Sequence, residues 1–310
     1  MFTTLHYAFA VIVALLGIAS MITAILIRKH PSRNYIELKL RIQTWWWIVT
    51  ILFFALVFNH TIAVTVIGLA SFLAFKEFLS LIPMRSHDHS VLVFAYLSIP
   101  LQYLWAGMAW YGMFIIFIPV YVFLLLPMRM VIVGETQGYL RAAGTIQWGL
   151  MTTVFSLSHM AYLLVLPPKT GAHGIITGEM LAFYLLLLTQ LNDVAQYLWG
   201  KMLGKHKAVP KVSPNKTIEG LLGGIVTTSL LAWLLAPWFT LLTPLYAWVA
   251  GILISVFGFV GDVVISAVKR DIGVKDSGSL LPGHGGILDR LDSLTYTSPL
   301  FFHYIYYLYY

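Results

Sequence analysis

The stretch LTPLYAWVAGILISVFGFVGDVV, residues 242–264, contains a single charged side chain, Asp262, close to its end. A run of roughly 17–25 apolar residues is long enough to cross the hydrocarbon core of a bilayer as one helix. The whole chain has the same character, since 59% of its 310 residues are hydrophobic and only 10% are charged. Soluble domains carry about 25% charged residues. The composition therefore predicts an all-α, polytopic integral membrane protein.

Nine further apolar segments extend this pattern in both directions, and the full set of candidate spans is 7–27, 45–58, 61–75, 91–106, 109–127, 147–166, 179–199, 218–236, 242–264 and 294–310. We expect about ten transmembrane helices, with eight as the lower bound. The second and third spans are short enough to form one re-entrant hairpin around Asn59 and His60, and the aromatic last span also suits a membrane interface. The first span lacks a basic leader and a small-residue cleavage site, so we expect it to be retained.

The basic residues test this division of the chain. All but one of the 19 Lys and Arg residues lie in alternate loops, 28–44, 76–90, 128–146, 200–217 and 265–293, and only Lys169 lies on the other side. Cytoplasmic loops collect Lys and Arg. We therefore expect these five loops to be cytoplasmic, in a bacterial-type inner or plasma membrane, and both termini to face outward. The net charge of +7 reflects this asymmetry and predicts no nucleic-acid partner.

Two regions differ in character. Residues 1–150 form a plain multi-span region, and residues 151–310 form a polar multi-span region whose most distinctive part is 190–293. The chain has no cysteine, which excludes disulfides and thiolate metal sites.

The last cytoplasmic loop, SAVKRDIGVKDSGSLLPGHGGILDRLDSL (266–294), concentrates charge around a glycine-rich turn. If the preceding helix continues past the membrane, Asp262, Ser266 and Lys269 lie on one helix face, with Arg270 at its edge. A carboxylate at the end of an apolar span needs a partner. The alternative is a purely structural role, in which Asp262 forms a stabilising ion pair with Lys269 or Arg270. The functional interpretation is a metal-binding carboxylate with cations for phosphate, and Asp289 and Asp292 flanking Arg290 fit Mg²⁺ with phosphate.

The basic loop GKMLGKHKAVPKVSPNKTIEG (200–220) is compatible with a lipid-binding polybasic patch. Its order favours a site instead. We expect residues 213–217 to form a turn that caps the next helix, with Glu219 in its first turn. Lys211, Lys216 and the hydroxyls of Ser213 and Thr217 would then lie near a helix N-terminus that favours an anion.

Polar residues also occur within the spans. Asp193 lies among Gln190, Asn192 and Gln196 in the seventh span and is a candidate site residue because it is ionisable. His87 and His89 lack suitable partners and indicate a solvated turn. An alternative of another class is a cation-coupled transporter using Asp193 and Asp262, although the chain shows no internal duplication.

The runs Ser266–Arg270, Lys275–Asp276 and PGHGGILDRLD (282–292), with the upstream block 204–220, resemble the signature of the phosphatidate cytidylyltransferases, or CDP-diacylglycerol synthases. Three positions depart from the family pattern: Asp193 is followed by Val-Ala-Gln-Tyr, and Ile218 and Ile265 replace Trp and Glu. The resemblance identifies a divergent member. It leaves open an acceptor other than phosphatidic acid, such as an isoprenoid or ether-linked lipid phosphate.

The resemblance implies an enzyme that transfers a cytidylyl group from CTP to phosphatidic acid in the bilayer, giving CDP-diacylglycerol and pyrophosphate. It implies Mg²⁺ on Asp262 and Asp289, with a monovalent cation such as K⁺ sharing that site. The oligomeric state stays open, with a homodimer as one option. We expect catalytic roles for Asp262, Lys269, Arg270 and Asp289, and substrate-binding roles for Asp193, Lys211, Ser213, Lys216, Thr217, Lys275, His284, Gly285, Gly286 and Arg290.

Overall fold

The computed structural model describes residues 4–30, 34–82, 89–283 and 285–310. These residues form ten continuous helices: α1 (Thr4–Lys29), α2 (Ile36–Phe58), α3 (His60–Leu81), α4 (His89–Gly107), α5 (Tyr111–Val133), α6 (139–164), α7 (Gly178–Leu203), α8 (Ile218–Phe239), α9 (Pro244–Ile272) and α10 (Leu288–Tyr309). Two antiparallel hairpins complete the described chain, β1 (Lys169–Gly171) with β2 (Gly174–Ile176) and β3 (Lys207–Val209) with β4 (Ser213–Thr217). The predicted all-α polytopic bundle is confirmed.

Each of the ten predicted spans coincides with one of these helices. Within the described ranges, seven helices are both long and apolar enough to cross a membrane, namely α1 to α5, α8 and α9. The other three, α6, α7 and α10, bury polar side chains such as His159, Asn192 and Ser298 inside the bundle. Polar residues inside a membrane bundle face protein and not lipid. Their lower apolarity therefore reflects an interior position.

Helices α2 and α3 are two complete helices, so the predicted alternative of one re-entrant hairpin is wrong. They contain 23 and 22 residues, which at 1.5 Å per residue gives about 33–35 Å. Asn59 separates them in an extended conformation, and its side chain accepts a hydrogen bond from Thr61 N at 2.8 Å. The apolar segments are shorter than the helices that contain them. The reason is that α2 begins in a polar stretch and α3 ends in one, and hydropathy marks neither.

The two ends of the bundle have different contents. At one end, the loop that carries Lys169 lies beside the C-terminus, where the ammonium contacts Tyr309 O and Tyr310 OH donates to Pro167 O. At the other end, Thr44 of α2 donates to Pro282 O and Arg270 donates to Val212 O. The two basic loops of the C-terminal half thus lie at the same end, opposite Lys169. That this end is cytoplasmic stays a prediction.

Helices α7 to α10 pack against one another and hold this end in place. Helix α9 continues to Ile272, well past the apolar stretch, and ends at Gly273, whose φ of 79° suits glycine. Close packing of α9 on α10 requires Gly261, because a Cβ there would lie 2.5 Å from Asp292 O. The charged ends of α9 and α10 therefore meet beside the β3–β4 hairpin.

Candidate active site

Asp289 has hydrogen-bond or ion-pair partners on both of its carboxylate oxygens. Its Oδ1 contacts Lys269 Nζ at 2.7 Å, and its Oδ2 accepts hydrogen bonds from Ser277 N at 2.8 Å and Gly286 N at 3.0 Å. The side chains of Asp289 and Lys269 are 6% and 11% exposed. Burial alone raises the pKa of Asp289, but the contact with Lys269 and the two N–H donors outweigh it and bring the pKa below its ordinary value.

Asp262 forms a second ion pair nearby. Its Oδ2 lies 2.6 Å from Lys216 Nζ of β4, and its Oδ1 accepts a hydrogen bond from Ser266 Oγ at 3.1 Å. The Lys216 ammonium also lies 4.7 Å from the centre of the Phe259 ring. The predicted common face of Asp262 and Ser266 is confirmed. Neither predicted partner of Asp262 is the one observed, because Lys269 faces Asp289 and Lys216 arrives from another loop.

Two further carboxylates, Asp193 and Asp292, extend this cluster toward the membrane interior. Asp193 accepts a hydrogen bond from Ser293 Oγ at 3.2 Å, and Asp292 Oδ1 accepts from Ser293 N at 2.7 Å. The negative charge of Asp262 repels both of them, while the positive charges of Lys216 and Arg290 attract Asp193. Carboxylates held this close together repel one another, and a bound cation would offset that repulsion.

The fit to Mg²⁺ differs between the two predicted ligands. The donors here are carboxylate and hydroxyl oxygens, which Mg²⁺ prefers. Asp262 is 30% exposed and lies next to two other carboxylates, so it suits a cation. Both oxygens of each aspartate already have partners, so a metal ion would have to displace Lys216 or Ser266 from Asp262, or one of the three donors from Asp289. Among the described residues, no group of three or more His, Asp or Glu side chains is arranged as a metal site.

The other predicted residues of the basic loop agree with the sequence prediction only in part. Residues 213–217 form strand β4 and not the predicted turn, because they pair with β3. Thr217 does cap α8, accepting from Gly220 N at 3.1 Å. Glu219 lies in the first turn of α8 as predicted, and its carboxylate binds the His206 ring at 2.6 Å and two backbone N–H groups just before β3. Lys211 is exposed.

Arg270 is tied to the protein backbone, since it donates to Val212 O and Val274 O, both at 3.2 Å. Lys275 and Arg290 have exposed side chains. Gly285 has a φ of 80°, and Leu281 N donates to its carbonyl at 2.9 Å, which closes the glycine-rich turn. His284 and, of the other residues considered in the sequence, Arg33, Arg85 and His87 lie outside the described residues. His89, expected in a solvated turn, begins α4 and is exposed.

Sequence reasoning missed Glu77, at the end of α3. Its carboxylate accepts hydrogen bonds from Ser277 Oγ, Ile287 N and Leu288 N at 2.9–3.1 Å. Lys76 and Glu77 are the charged residues of an otherwise apolar helix, which was a readable signal. The partners lie some 200 residues away in the sequence, so the signal did not indicate what Glu77 binds.

This geometry gathers Lys216, Lys269 and Arg290 with four aspartates of α7, α9 and α10 at one end of a membrane bundle. Such a surface can bind a polyanion through its cations and a metal ion through its carboxylates. The arrangement suits transfer between phosphates, where positioning and charge neutralisation dominate.

Comparison with known proteins agrees with this chemistry. The chain is 46% identical over 303 residues to the uncharacterized protein YnbB of Escherichia coli (strain K12), covering 98% of this chain and 99% of that protein. It is 47% identical over 120 residues to the phosphatidate cytidylyltransferase of Staphylococcus aureus (strain COL), covering 38% and 45%. It is 38% identical over 163 residues to that of Staphylococcus haemolyticus (strain JCSC1435), covering 50% and 59%. The chain thus spans about half the length of these named transferases.

The sequence profile described as "Cytidylyltransferase family" matches residues 39–308. That range begins in α2 and ends in α10, so it includes both basic loops, the four aspartates and Glu77. On this match over most of its length, the chain belongs to the cytidylyltransferase family.

Proposed function

We propose that this protein transfers the cytidylyl group of CTP to phosphatidic acid, releasing pyrophosphate and leaving CDP-diacylglycerol in the bilayer. The observation that carries the proposal is the pairing of Lys216 with Asp262 and of Lys269 with Asp289 beside the membrane helices. One lysine from the β3–β4 hairpin and one from α9 meet carboxylates at the point where a lipid headgroup and a soluble nucleotide would meet. Membership of the cytidylyltransferase family supports the same chemistry.

In the proposed reaction, an oxygen of the lipid phosphate attacks the α-phosphorus of CTP, and the bond between that phosphorus and the bridging oxygen to the β-phosphate breaks. A phosphate monoester is largely dianionic at pH 7 because its second pKa is about 6. The acceptor therefore needs no general base. The lysines reduce the repulsion between two polyanions, and the electron pair of the broken bond leaves with pyrophosphate.

We further propose that Mg²⁺ binds at Asp262 once Lys216 moves from that carboxylate to the substrate phosphate, with Asp193 and Asp292 supplying negative charge around the ion. When bound, Mg²⁺ would neutralise charge on the triphosphate and on the leaving pyrophosphate. Asp289 is the second proposed ligand of Mg²⁺, and it can bind the ion only when its ion pair with Lys269 is broken. While that ion pair is intact, Asp289 acts by holding Lys269 and the glycine-rich turn.

Purified protein in lipid–detergent micelles would be given labelled CTP, Mg²⁺ and a panel of lipid phosphates. The panel includes phosphatidic acid, an ether-linked analogue and an isoprenoid phosphate. We expect equal amounts of pyrophosphate and CDP-diacylglycerol with phosphatidic acid, loss of product in Asp262→Asn, and parent-like turnover in Asp271→Asn. Asp271 is a matched control because it is an exposed carboxylate near the end of the same helix.

Product formed only from another lipid phosphate would change the acceptor and keep the cytidylyl transfer. No CTP consumption by folded protein with any member of the panel would refute the proposed function.

A further inference from the structure

Glu77 connects the N-terminal half of the bundle to the glycine-rich turn. From the end of α3 its Oε1 accepts from Ile287 N at 3.0 Å, and its Oε2 accepts from Leu288 N at 2.9 Å and from Ser277 Oγ at 3.1 Å. Ile287 and Leu288 begin α10. The first N–H groups of a helix lack partners within it and attract negative charge. A carboxylate from α3 therefore satisfies the start of α10.

The turn is shaped around this carboxylate. A Cβ built on Gly278 would lie 2.9 Å from Glu77 Oε1, and one on Gly286 would overlap Ser277 Oγ and Glu77 Oε2. Two glycines of the turn thus make room for one side chain from a distant helix. This close approach indicates a built contact, because a larger residue at Gly278 would push the Glu77 carboxylate away, and one at Gly286 would also meet the backbone N of Gly278 at 2.8 Å.

Ser277 joins Glu77 to the proposed site. Its hydroxyl donates to Glu77, while its backbone N–H donates to Asp289 at 2.8 Å. Asp289 in turn contacts Lys269. Helix α2 adds a second support, since Thr44 Oγ1 donates to Pro282 O at 2.8 Å. Two N-terminal helices therefore hold the turn that orients Asp289 and Lys269.

We propose that Glu77 is a positioning residue, which holds the segment 277–288 in the conformation that presents Asp289 and Lys269 to the substrates. The part of this inference that concerns turnover rests on the proposed function. The part that concerns the segment stands on the contacts alone. The N-terminal helices then contribute to the reaction and are more than a membrane anchor.

The first arm of the test measures the segment without reference to activity. Hydrogen–deuterium exchange followed by mass spectrometry would compare the parent, Glu77→Gln and the control Glu179→Gln. Glutamine keeps one acceptor oxygen but turns an amide donor toward N–H and O–H donors. We expect faster exchange in 277–291 of Glu77→Gln, with no change in 205–217. Glu179 lies in the first turn of α7, at the end of the bundle that carries Lys169, so its replacement should have no effect on either segment.

The second arm measures turnover of CTP. Loss of a hydrogen bond to a charged group changes an equilibrium by roughly tenfold or more. We therefore expect kcat of Glu77→Gln to fall about tenfold or more, while KM for CTP stays close to the parent value. The reason is that Lys216, on β4, does not depend on Glu77. Glu77→Asp, which keeps the charge, should recover part of kcat. If Glu77→Gln does not fold, Ser277→Ala and Thr44→Val, which each remove one bond of the same network, take its place.

Each possible result tests a different part of the inference about Glu77. Unchanged exchange in 277–291 of Glu77→Gln overturns the inference, even with an active parent. Faster exchange with parent-like kcat per folded molecule leaves Glu77 structural and overturns its positioning role. An inactive parent whose segment loosens in Glu77→Gln refutes the proposed function, and the role in turnover with it, but confirms that Glu77 holds the turn.

Discussion

Replacing Asp289 with asparagine removes a charge while keeping the size of the side chain, and its cost follows from the contacts. Asparagine keeps an oxygen that can accept from Ser277 N and Gly286 N, so most of the loss falls on Lys269. The Lys269 side chain is only 11% exposed, and its ammonium group would lose the carboxylate that it contacts. Breaking a buried ion pair from one side costs about 3–5 kcal/mol. Because Lys269 keeps some access to water, we expect Asp289→Asn to lower the free energy of unfolding by about 3 kcal/mol, the lower end of that range.

The double variant Asp289→Asn with Lys269→Met separates stability from chemistry. Methionine fills a similar volume and removes the unpaired ammonium, so much of the lost stability should return, with a coupling energy of roughly 2–3 kcal/mol. CTP turnover should stay absent in both variants. Unfolding in mixed micelles titrated with SDS, followed by tryptophan fluorescence, measures the free energies, and labelled CTP measures turnover.

The same pair predicts a pH dependence. The folded-state pKa of Asp289 lies below its ordinary value of 3.8. A depressed carboxyl pKa contributes stability that is present above the unfolded pKa and is lost as pH falls through the folded one. The unfolding free energy of the parent should therefore drop more steeply below pH 4 or so than that of Asp289→Asn. A variant that matches the parent in stability, pH profile and Mg²⁺-dependent turnover would refute both the buried pair and the role of Asp289.

Three further predictions concern the turn, the basic loop and the topology. Gly286→Ala should lower the free energy of unfolding by about 1–3 kcal/mol and abolish turnover, because the added methyl group has no room. The control Gly144→Ala, whose Cβ meets nothing within 4 Å, should be neutral or slightly stabilising in the same unfolding assay. Lys216→Ala should raise KM for CTP by a factor that corresponds to about 1.5–3 kcal/mol, since it removes a charged phosphate donor; an unchanged KM would favour the polybasic-patch interpretation. Single cysteines replacing the exposed Lys207 and Ser279 of this cysteine-free chain should react with an impermeant reagent from one and the same side. That side should be the cytoplasmic one, and labelling of either from outside intact cells would contradict the predicted topology.

The helices themselves were predictable in detail. All ten apolar segments became helices, since a chain in a bilayer must satisfy its backbone polar groups within each segment. Errors occurred where helices continue into polar sequence, as in α2 and α3, because hydropathy marks the lipid-facing part and not the helix end. The β3–β4 hairpin was also missed, since five residues around Pro214 read as a turn when their partner strand is unknown.

For the site, the sequence by itself determined which residues are chemically capable: Asp262, Lys269 and Asp289 were singled out because charge in a membrane protein is costly and therefore informative. Local periodicity also determined that Asp262 and Ser266 share a helix face. Only the tertiary structure decided the pairing, Lys216 with Asp262 and Lys269 with Asp289, and only it brought Glu77 under the glycine-rich turn. The physical reason is the distance along the chain over which each effect acts. Helix periodicity acts over a few residues, whereas an ion pair depends on how separate helices pack, and that packing is set by close contacts such as those at Gly261 and Gly286.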